Sequence, residues 1–269
     1  MEHTSSLNSL IDVPSSSVAQ FSREGHACIR HLASSAEVEY FRPAVEETTK
    51  VGRYDFRDLE DRDTYGKAFL QVHNLWQKDT TCKEFVFAKR FAHVAATLLG
   101  VDGVRLYHDQ ALFKEPNGGY TPWHQDQTYW PLDTDRTITM WMPLVELTPS
   151  MGTISFVSGS HKIGNVEAGT ISDTSHRKIT DWIQRESLPV YTYDDLAVGD
   201  ATFHNGWTLH SAGHNSTGNM RSVMTVIYVA DGASITTPTP AQQFDLELWL
   251  GGQRAGDKVG SEMNPLLYP

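Results

Sequence analysis

Long hydrophobic runs are missing from this sequence, and with them one whole class of protein. No stretch approaches the roughly 20 apolar residues that a membrane-spanning helix needs. Cysteine is scarce, with two (Cys28 and Cys82) in 269 residues. They stand far apart in no metal-type spacing, so they read as reduced structural thiols, and nothing demands an oxidising compartment. Positive charge is short as well: 22 Lys+Arg face 33 Asp+Glu, and the net charge is −11 at pH 7. That balance argues against nucleic acid as a partner, which needs a basic footprint, and disfavours docking on a membrane of anionic lipid. The first residues, M-E-H-T-S-S-L, lack a basic region followed by an apolar run. No secretory signal is expected, and the chain is expected to be cytoplasmic.

What the sequence does hold is bulk for a core. Hydrophobic residues make up 39%, including seven Trp, ten Tyr and eleven Phe, and the length suits one large domain or two small ones. No internal repeat and no long mid-chain linker divides it. Residues 1–17 are serine-rich and read as a loose arm, leaving 18–269 as a single domain. Helical patterning covers Val18 to Glu24 and Ser34 to Thr48, with a short strand expected over Ala27 to His31 between them. The clearest helix is expected from Lys83 to Leu99, with Phe87, Phe91, Val94, Ala95 and Leu98 on one stripe and Gly100 as its stop. From Val104 onward the texture changes. Val104–Phe113, Thr137–Leu144, Thr153–Val157, Asp200–His204 and Arg221–Val229 are short, rich in β-branched or aromatic residues, and separated by turn formers. The expected fold is mainly β with flanking helices, built on a jelly-roll, cupin-like double-stranded β-helix core over about 101–230. The tail, Ala233 to Pro269, is rich in Pro and Gly and is expected to wrap the surface or a cavity mouth.

One segment, T-P-W-H-Q-D-Q-T-Y-W from Thr121 to Trp130, places two metal-binding side chains in an aromatic run. On a strand, residues i and i+2 share a face, so His124 and Asp126 would project together and Gln125 away. The pair alone says little, because chance predicts about one His-x-Asp in a chain of this composition. A histidine hydrogen-bonded to a nearby aspartate at a strand end is the commoner explanation of such a pair. Two ligands hold a metal poorly, and a third must come from elsewhere. Candidates cluster in F-H-N-G-W-T-L-H-S-A-G-H, where His204, His210 and His214 surround a polar turn. A turn centred near Asn215 and Ser216 would make a hairpin that sets His210 roughly opposite Arg221. Two imidazoles and one carboxylate leave a divalent ion with open positions, which favours non-haem Fe(II) oxygen chemistry over a closed structural zinc site. A guanidinium nearby suits the free end of a chelated dicarboxylate, since its planar fork donates two parallel hydrogen bonds.

Taken together, R-L-Y-H-D-Q-A-L-F-K-E-P, T-P-W-H-Q-D-Q, M-W-M-P-L, M-G-T-I-S-F-V-S-G-S-H-K and the His210–Arg221 segment form a specific pattern. The chain resembles the phytanoyl-CoA dioxygenase family of Fe(II)- and 2-oxoglutarate-dependent oxygenases, from about Phe21 to Tyr268. The resemblance implies His124, Asp126 and His210 as iron ligands, with His214 left in an exposed turn and His204 as a strand residue. It implies Arg221, eleven residues beyond His210, as the anchor for the far carboxylate of 2-oxoglutarate, and Trp141 as the aromatic beside that cosubstrate. Gln110 and Gln71 fall where the family contributes further residues to the same pocket. His108 shares a strand face with Gln110 and reads as cavity-lining or as a satisfied core histidine, while His161 reads as structural. One departure stands out. The family often carries His-x-Ser at the distal ligand, and this chain reads His210-Ser211-Ala212, so a hydroxyl is missing.

The resemblance implies oxidation of an unactivated C–H using O2, with 2-oxoglutarate converted to succinate and CO2; hydroxylation is the expected outcome, and desaturation, cyclisation and epimerisation stay open. Retention of Asp126 argues against the halogenating variant, which lacks the carboxylate. No Lys/Arg cluster offers a landing area for the phosphates of a CoA ester, so the expected partner is a small-molecule metabolite or natural-product intermediate. Tyr129 and Trp130 are expected at the mouth as substrate-facing walls, against the bland reading that they are core. Two other classes remain: a catalytically silent cupin-like metal- or ligand-binding protein, and a metal-dependent hydrolase using the same three ligands. Oligomeric state is not legible.

Overall fold

The computed structural model describes residues 6–166, 169–194 and 196–269, so the first five residues of the expected arm lie outside it. In chain order the strands are β1 (His26–Ile29), β2 (Leu70–His73), β3 (Val104–Phe113), β4 (Thr121–His124), β5 (Thr137–Pro143), β6 (Ile154–Val157), β7 (Val190–Thr192), β8 (Ala201–Asn205), β9 (His210–Ala212), β10 (Val223–Ala230) and β11 (Leu266–Tyr268). The helices are α1 (Ser15–Glu24), α2 (Ser35–Gly52), α3 (Thr64–Ala68), α4 (Thr80–Val86), α5 (Lys89–Leu99), α6 (Asp173–Arg185) and α7 (Gln243–Leu248). A seven-stranded sheet runs in the order β1-β8-β5-β10-β3-β11, with β2 also pairing β3, and a four-stranded sheet runs β4-β9-β6-β7. Every strand pairing described is antiparallel. This is the jelly-roll core with flanking helices that the strand pattern predicts. Among the described residues, no helix is long and apolar enough to cross a membrane.

Strand alternation decides what each face of the large sheet does. Met140 and Met142 of β5, Val226 and Tyr228 of β10, and Phe203 of β8 join the core shared with Phe41, Phe85 and Phe91 of the helices. Their neighbours Thr139, Trp141, Thr225 and His204 line a cavity on the opposite face. Both faces are thus covered, and β5 and β10 are buried along their whole length, as near-continuous apolar strands should be. In β3 the parity switches. The register against β10 steps from His108 to Leu106 and skips Tyr107, a bulge. Leu106 therefore faces the helices while His108 and Gln110 face the cavity, which a regular strand could not achieve.

Two expectations about how the elements are joined need correction. The helix predicted over Lys83 to Leu99 is two helices, α4 and α5, because Ala88 leaves helical geometry (φ −57, ψ 116). In one straight helix Phe85 and Phe91, six residues apart, would point to different sides; the break lets both enter the core with ring centroids 5.1 Å apart. Gly100 does end α5, in the left-handed region at φ 65, where glycine is least strained. The second correction concerns the predicted hairpin. β9 pairs β4 and β6 in the small sheet, whereas β10 pairs β3 and β5 in the large one. His210 and Arg221 are therefore not cross-strand neighbours; Arg221 bridges Lys114 instead. The chain crosses from one sheet to the other between them, and both side chains reach the same cavity from different walls.

Candidate active site

The nine site residues singled out from the sequence all line one cavity of about 530 Å³ between the two sheets. That volume falls within the roughly 300–1,000 Å³ of small-molecule sites. β4 ends at His124, so Asp126 is not on the strand as expected; it opens a 3-10 turn, Asp126–Tyr129. Gln125 between them stays extended (φ −125, ψ 124), which preserves the shared direction of its neighbours. Its own amide points away and holds the Gly164 and Trp207 carbonyls at 2.8 and 2.7 Å. His210 arrives directly opposite His124, because the two are register partners across β4 and β9.

The donor atoms converge. Asp126 Oδ1 lies 3.6 Å from Nε2 of His124 and 3.6 Å from Nε2 of His210. One ligand atom from each of the three lies within 4.8 Å of the other two, so the group could hold a metal ion. His124 Nδ1 donates to the Pro122 carbonyl at 2.8 Å and His210 Nδ1 to the Thr208 carbonyl at 3.0 Å. A carbonyl only accepts, so both protons sit on Nδ1 and both Nε2 lone pairs face inward. Burial, with the neighbouring imidazole adding to it, lowers His124 to about 4. Burial likewise lowers His210 to about 4, against the pull of Asp126. Both rings are neutral near pH 7. Burial opposes ionisation of Asp126, yet His210, His204 and His124 outweigh it and hold the carboxyl well below its ordinary range. Two neutral imidazoles and one carboxylate with empty space beside them suit an open, catalytic metal site.

Arg221 stands deeper, 1% exposed. Its Nη1 donates to the Gly152 carbonyl at 2.6 Å, its Nε has no partner among the described residues, and its guanidinium lies 5.4 Å from the Trp141 ring. Gly152 is required there: its φ is 77, and a Cβ would overlap the Gly213 carbonyl. Among the described residues no carboxylate pairs with Arg221. Burial lowers its pKa to about 9, and a guanidinium stays charged at neutral pH. The adjacent Lys114, whose Nζ donates to the Gly119 carbonyl, is lowered to about 6 by burial and then by Arg221. Arg221 is thus the cation of the site, with no anion against it among the described residues. Gln110 and Gln71 meet as a hydrogen-bonded pair at 2.6 Å, and the Tyr65 hydroxyl donates to Gln71 at 3.2 Å.

Tyr129 and Trp130 both border the cavity; the Tyr129 hydroxyl accepts from the Ile171 amide at 3.2 Å, and Trp130 also packs on Tyr107. Of the remaining histidines, His214 is exposed and rests against Tyr120, and His161 contacts the Ser22 carbonyl at 3.3 Å. His108 lines the cavity, stacked on Trp249 with centroids 4.8 Å apart. His204, a rival ligand in the sequence, is a strand residue whose Nε2 meets the other oxygen of Asp126 at 3.3 Å. The tail supplies residues that carry no motif. α7 brings Phe244 and Asp245, and then Trp249, to the cavity, with Asp245 raised to about 7 chiefly by burial. Only the Pro/Gly-rich tail composition hinted at this.

With this geometry in place, comparison with known proteins decides the family. The phytanoyl-CoA dioxygenase (PhyH) profile matches residues 21–223. The chain belongs to the phytanoyl-CoA dioxygenase family. A protein of Stutzerimonas stutzeri described as a probable alpha-ketoglutarate-dependent hypophosphite dioxygenase is 28% identical over 209 residues, 75% of this chain and 65% of that protein. The chain thus spans about two thirds of that relative's length. Among solved structures, the non-haem alpha-ketoglutarate-dependent carbocyclase SnoK from nogalamycin biosynthesis superposes with a TM-score of 0.78 at 27% identity, over 95% of this chain and 96% of that one. The epimerase SnoN in complex with Fe3+, alpha-ketoglutarate and nogalamycin RO superposes at 0.76 with 24% identity, over 94% and 98%; at that identity the likeness is one of fold. The donor set of this phytanoyl-CoA dioxygenase family member fits iron, and its buried arginine, without a carboxylate partner among the described residues, fits a dicarboxylate.

Proposed function

We propose that this protein is an Fe(II)- and 2-oxoglutarate-dependent oxygenase that hydroxylates an unactivated C–H of a small, largely uncharged molecule. His124, Asp126 and His210 hold the iron, and Arg221 takes the far carboxylate of 2-oxoglutarate. One observation carries the reading: a buried guanidinium with no carboxylate partner among the described residues shares a cavity with an open His-Asp-His set. Bound there, iron and cosubstrate supply the oxidising power for the C–H bond. The chain's own part is placement. Arg221 and Trp141 fix one end of the cosubstrate, and the Gln71–Gln110 pair borders it. Tyr129, Trp130 and Trp249 provide flat apolar walls that exclude water and orient substrate. Residues 18–269 act as one oxygenase domain.

The lining also bears on substrate. Arg221 is its only lysine or arginine among the described residues. Burial keeps His73 near 4 and His108 near 3, so neither adds positive charge. Apart from buried Arg221, the described lining offers no cation to the phosphates of an acyl-CoA. A hydrolase would use the three ligands but leaves Arg221 unexplained. The test is aerobic incubation of the iron-loaded protein and 2-oxoglutarate with a panel of neutral aromatic and alicyclic metabolites. Succinate release that depends on one compound supports the reading, and a product heavier by one oxygen atom establishes hydroxylation. Loss of two hydrogens, or unchanged mass with inverted configuration, would replace hydroxylation by cyclisation, desaturation or epimerisation. No compound-dependent succinate across the panel would favour a silent binding protein.

A further inference from the structure

The two oxygens of Asp126 have different surroundings. Oδ1 faces both candidate ligand imidazoles at 3.6 Å. Oδ2 instead accepts from Thr139 Oγ1 at 3.2 Å and meets His204 Nε2 at 3.3 Å. Thr139 and His204 are register partners across β5 and β8, so the large sheet presents two donors side by side to a carboxylate carried by the turn after β4. A carboxylate only accepts, which puts the His204 proton on Nε2. His204 Nδ1 is buried and has no partner among the described residues. The ring, 1% exposed and wedged between Phe156 and His210 at centroid distances of 5.3 and 4.4 Å, thus directs its polar contact to Asp126. A buried imidazole with one nitrogen left unsatisfied is costly, and among the described residues only Asp126 meets the other nitrogen.

We propose that His204 is a positioning residue: with Thr139 it occupies Oδ2 and so confines Asp126 to binding the metal through Oδ1 alone. The inference rests on the reading of His124, Asp126 and His210 as the iron site. A carboxylate free to turn could place both oxygens on the metal and close a position needed for cosubstrate or dioxygen. Partners that orient a ligand in this way typically change metal affinity by roughly 10–100-fold when removed. His204 is therefore not a spare third ligand.

The test is anaerobic Fe(II) titration of the full-length apoprotein, followed by 2-oxoglutarate while the visible charge-transfer absorption is recorded. His204→Phe keeps the ring stacked on Phe156 but removes the donor, whereas His204→Gln removes the ring and keeps a donor at similar reach. Phe is expected to weaken Fe(II) binding roughly 10–100-fold and shift the absorption, and Gln to stay within about threefold of wild type. Iron binding by Phe as tight as wild type would overturn the proposal. So would equal loss in Phe and Gln, which would make His204 itself a ligand. Thermal melting of the apo forms separates misfolding from lost coordination. Should neither His204 variant fold, Thr139→Val against Thr139→Ser decides: only Val should weaken iron, and equal affinities refute. Wild type that binds neither Fe(II) nor 2-oxoglutarate would instead sink the parent reading.

Discussion

Replacing Arg221 by methionine separates a residue kept for a ligand from one kept for the fold. The side chain is 1% exposed and has no carboxylate partner among the described residues. In the absence of cosubstrate the folded protein carries a desolvated charge, which costs several kcal/mol. Against that cost stand one hydrogen bond, to the Gly152 carbonyl at 2.6 Å, and the approach to Trp141 at 5.4 Å. These contribute on the order of 1–2 kcal/mol each. Arg221→Met keeps much of the volume, so the apoprotein should unfold at the same or a higher urea concentration. With 2-oxoglutarate the balance reverses. Breaking a buried, hydrogen-bonded charge pair costs about 3–5 kcal/mol, which is on the order of 10²–10⁴-fold in Kd. Calorimetric titration of the Fe(II) protein with 2-oxoglutarate measures the second effect, and urea unfolding of the apoprotein the first. A Kd within threefold of wild type, or an apoprotein that loses more than about 3 kcal/mol, would show that Arg221 is a structural strut.

Three other outcomes follow from the same geometry. His124→Ala and His210→Ala should each abolish stoichiometric iron retention after dialysis, while His214→Ala, in an exposed turn, should retain it; the reverse pattern would reassign the ligand. Gly152→Ala should destabilise by at least about 1–2 kcal/mol, since φ is 77 and the new Cβ meets the Gly213 carbonyl. It should also weaken 2-oxoglutarate, because the carbonyl that orients Arg221 moves; unchanged melting and affinity would refute this. Finally, burial holds His26, His73, His124 and His210 near 4 and His108 near 3, below their ordinary 6.5. Unfolding therefore takes up protons between about pH 4 and 6.5, and apoprotein stability should fall with pH through that window, roughly 1.4 kcal/mol per pH unit for each net proton. Asp109 and Asp245, raised to about 7 by burial, work the other way over about pH 4 to 7 but are outnumbered. Urea midpoints that hold steady or rise from about pH 7 to pH 5 would contradict the balance.

Strand texture alone made the β core legible. Alternation within Thr137–Pro143 and Val223–Ala230 is blurred because both faces of those strands are buried, yet β-branched and aromatic residues between turn formers were enough. Sheet membership was a different matter. A polar turn after His210 looks like a hairpin in one dimension, but whether the next strand returns to its neighbour or crosses to the other sheet depends on distant partners. The break at Ala88 escaped for a similar reason, since the meeting of Phe85 with Phe91 that it permits takes place inside the core. At the site, i and i+2 spacing conveyed the shared direction of His124 and Asp126, even though the strand ends between them. The part played by His204 could not be seen, because it depends on which oxygen of Asp126 it meets. Phe244, Asp245 and Trp249 sit in a tail without periodicity and reach the cavity through the path of α7.

The most direct trial of the account is a titration of the anaerobic Fe(II) protein with 2-oxoglutarate, followed in the visible range. The account requires a charge-transfer absorption that saturates at one equivalent per chain and disappears in His210→Ala. A colourless wild-type mixture that has nonetheless taken up both iron and 2-oxoglutarate would contradict it.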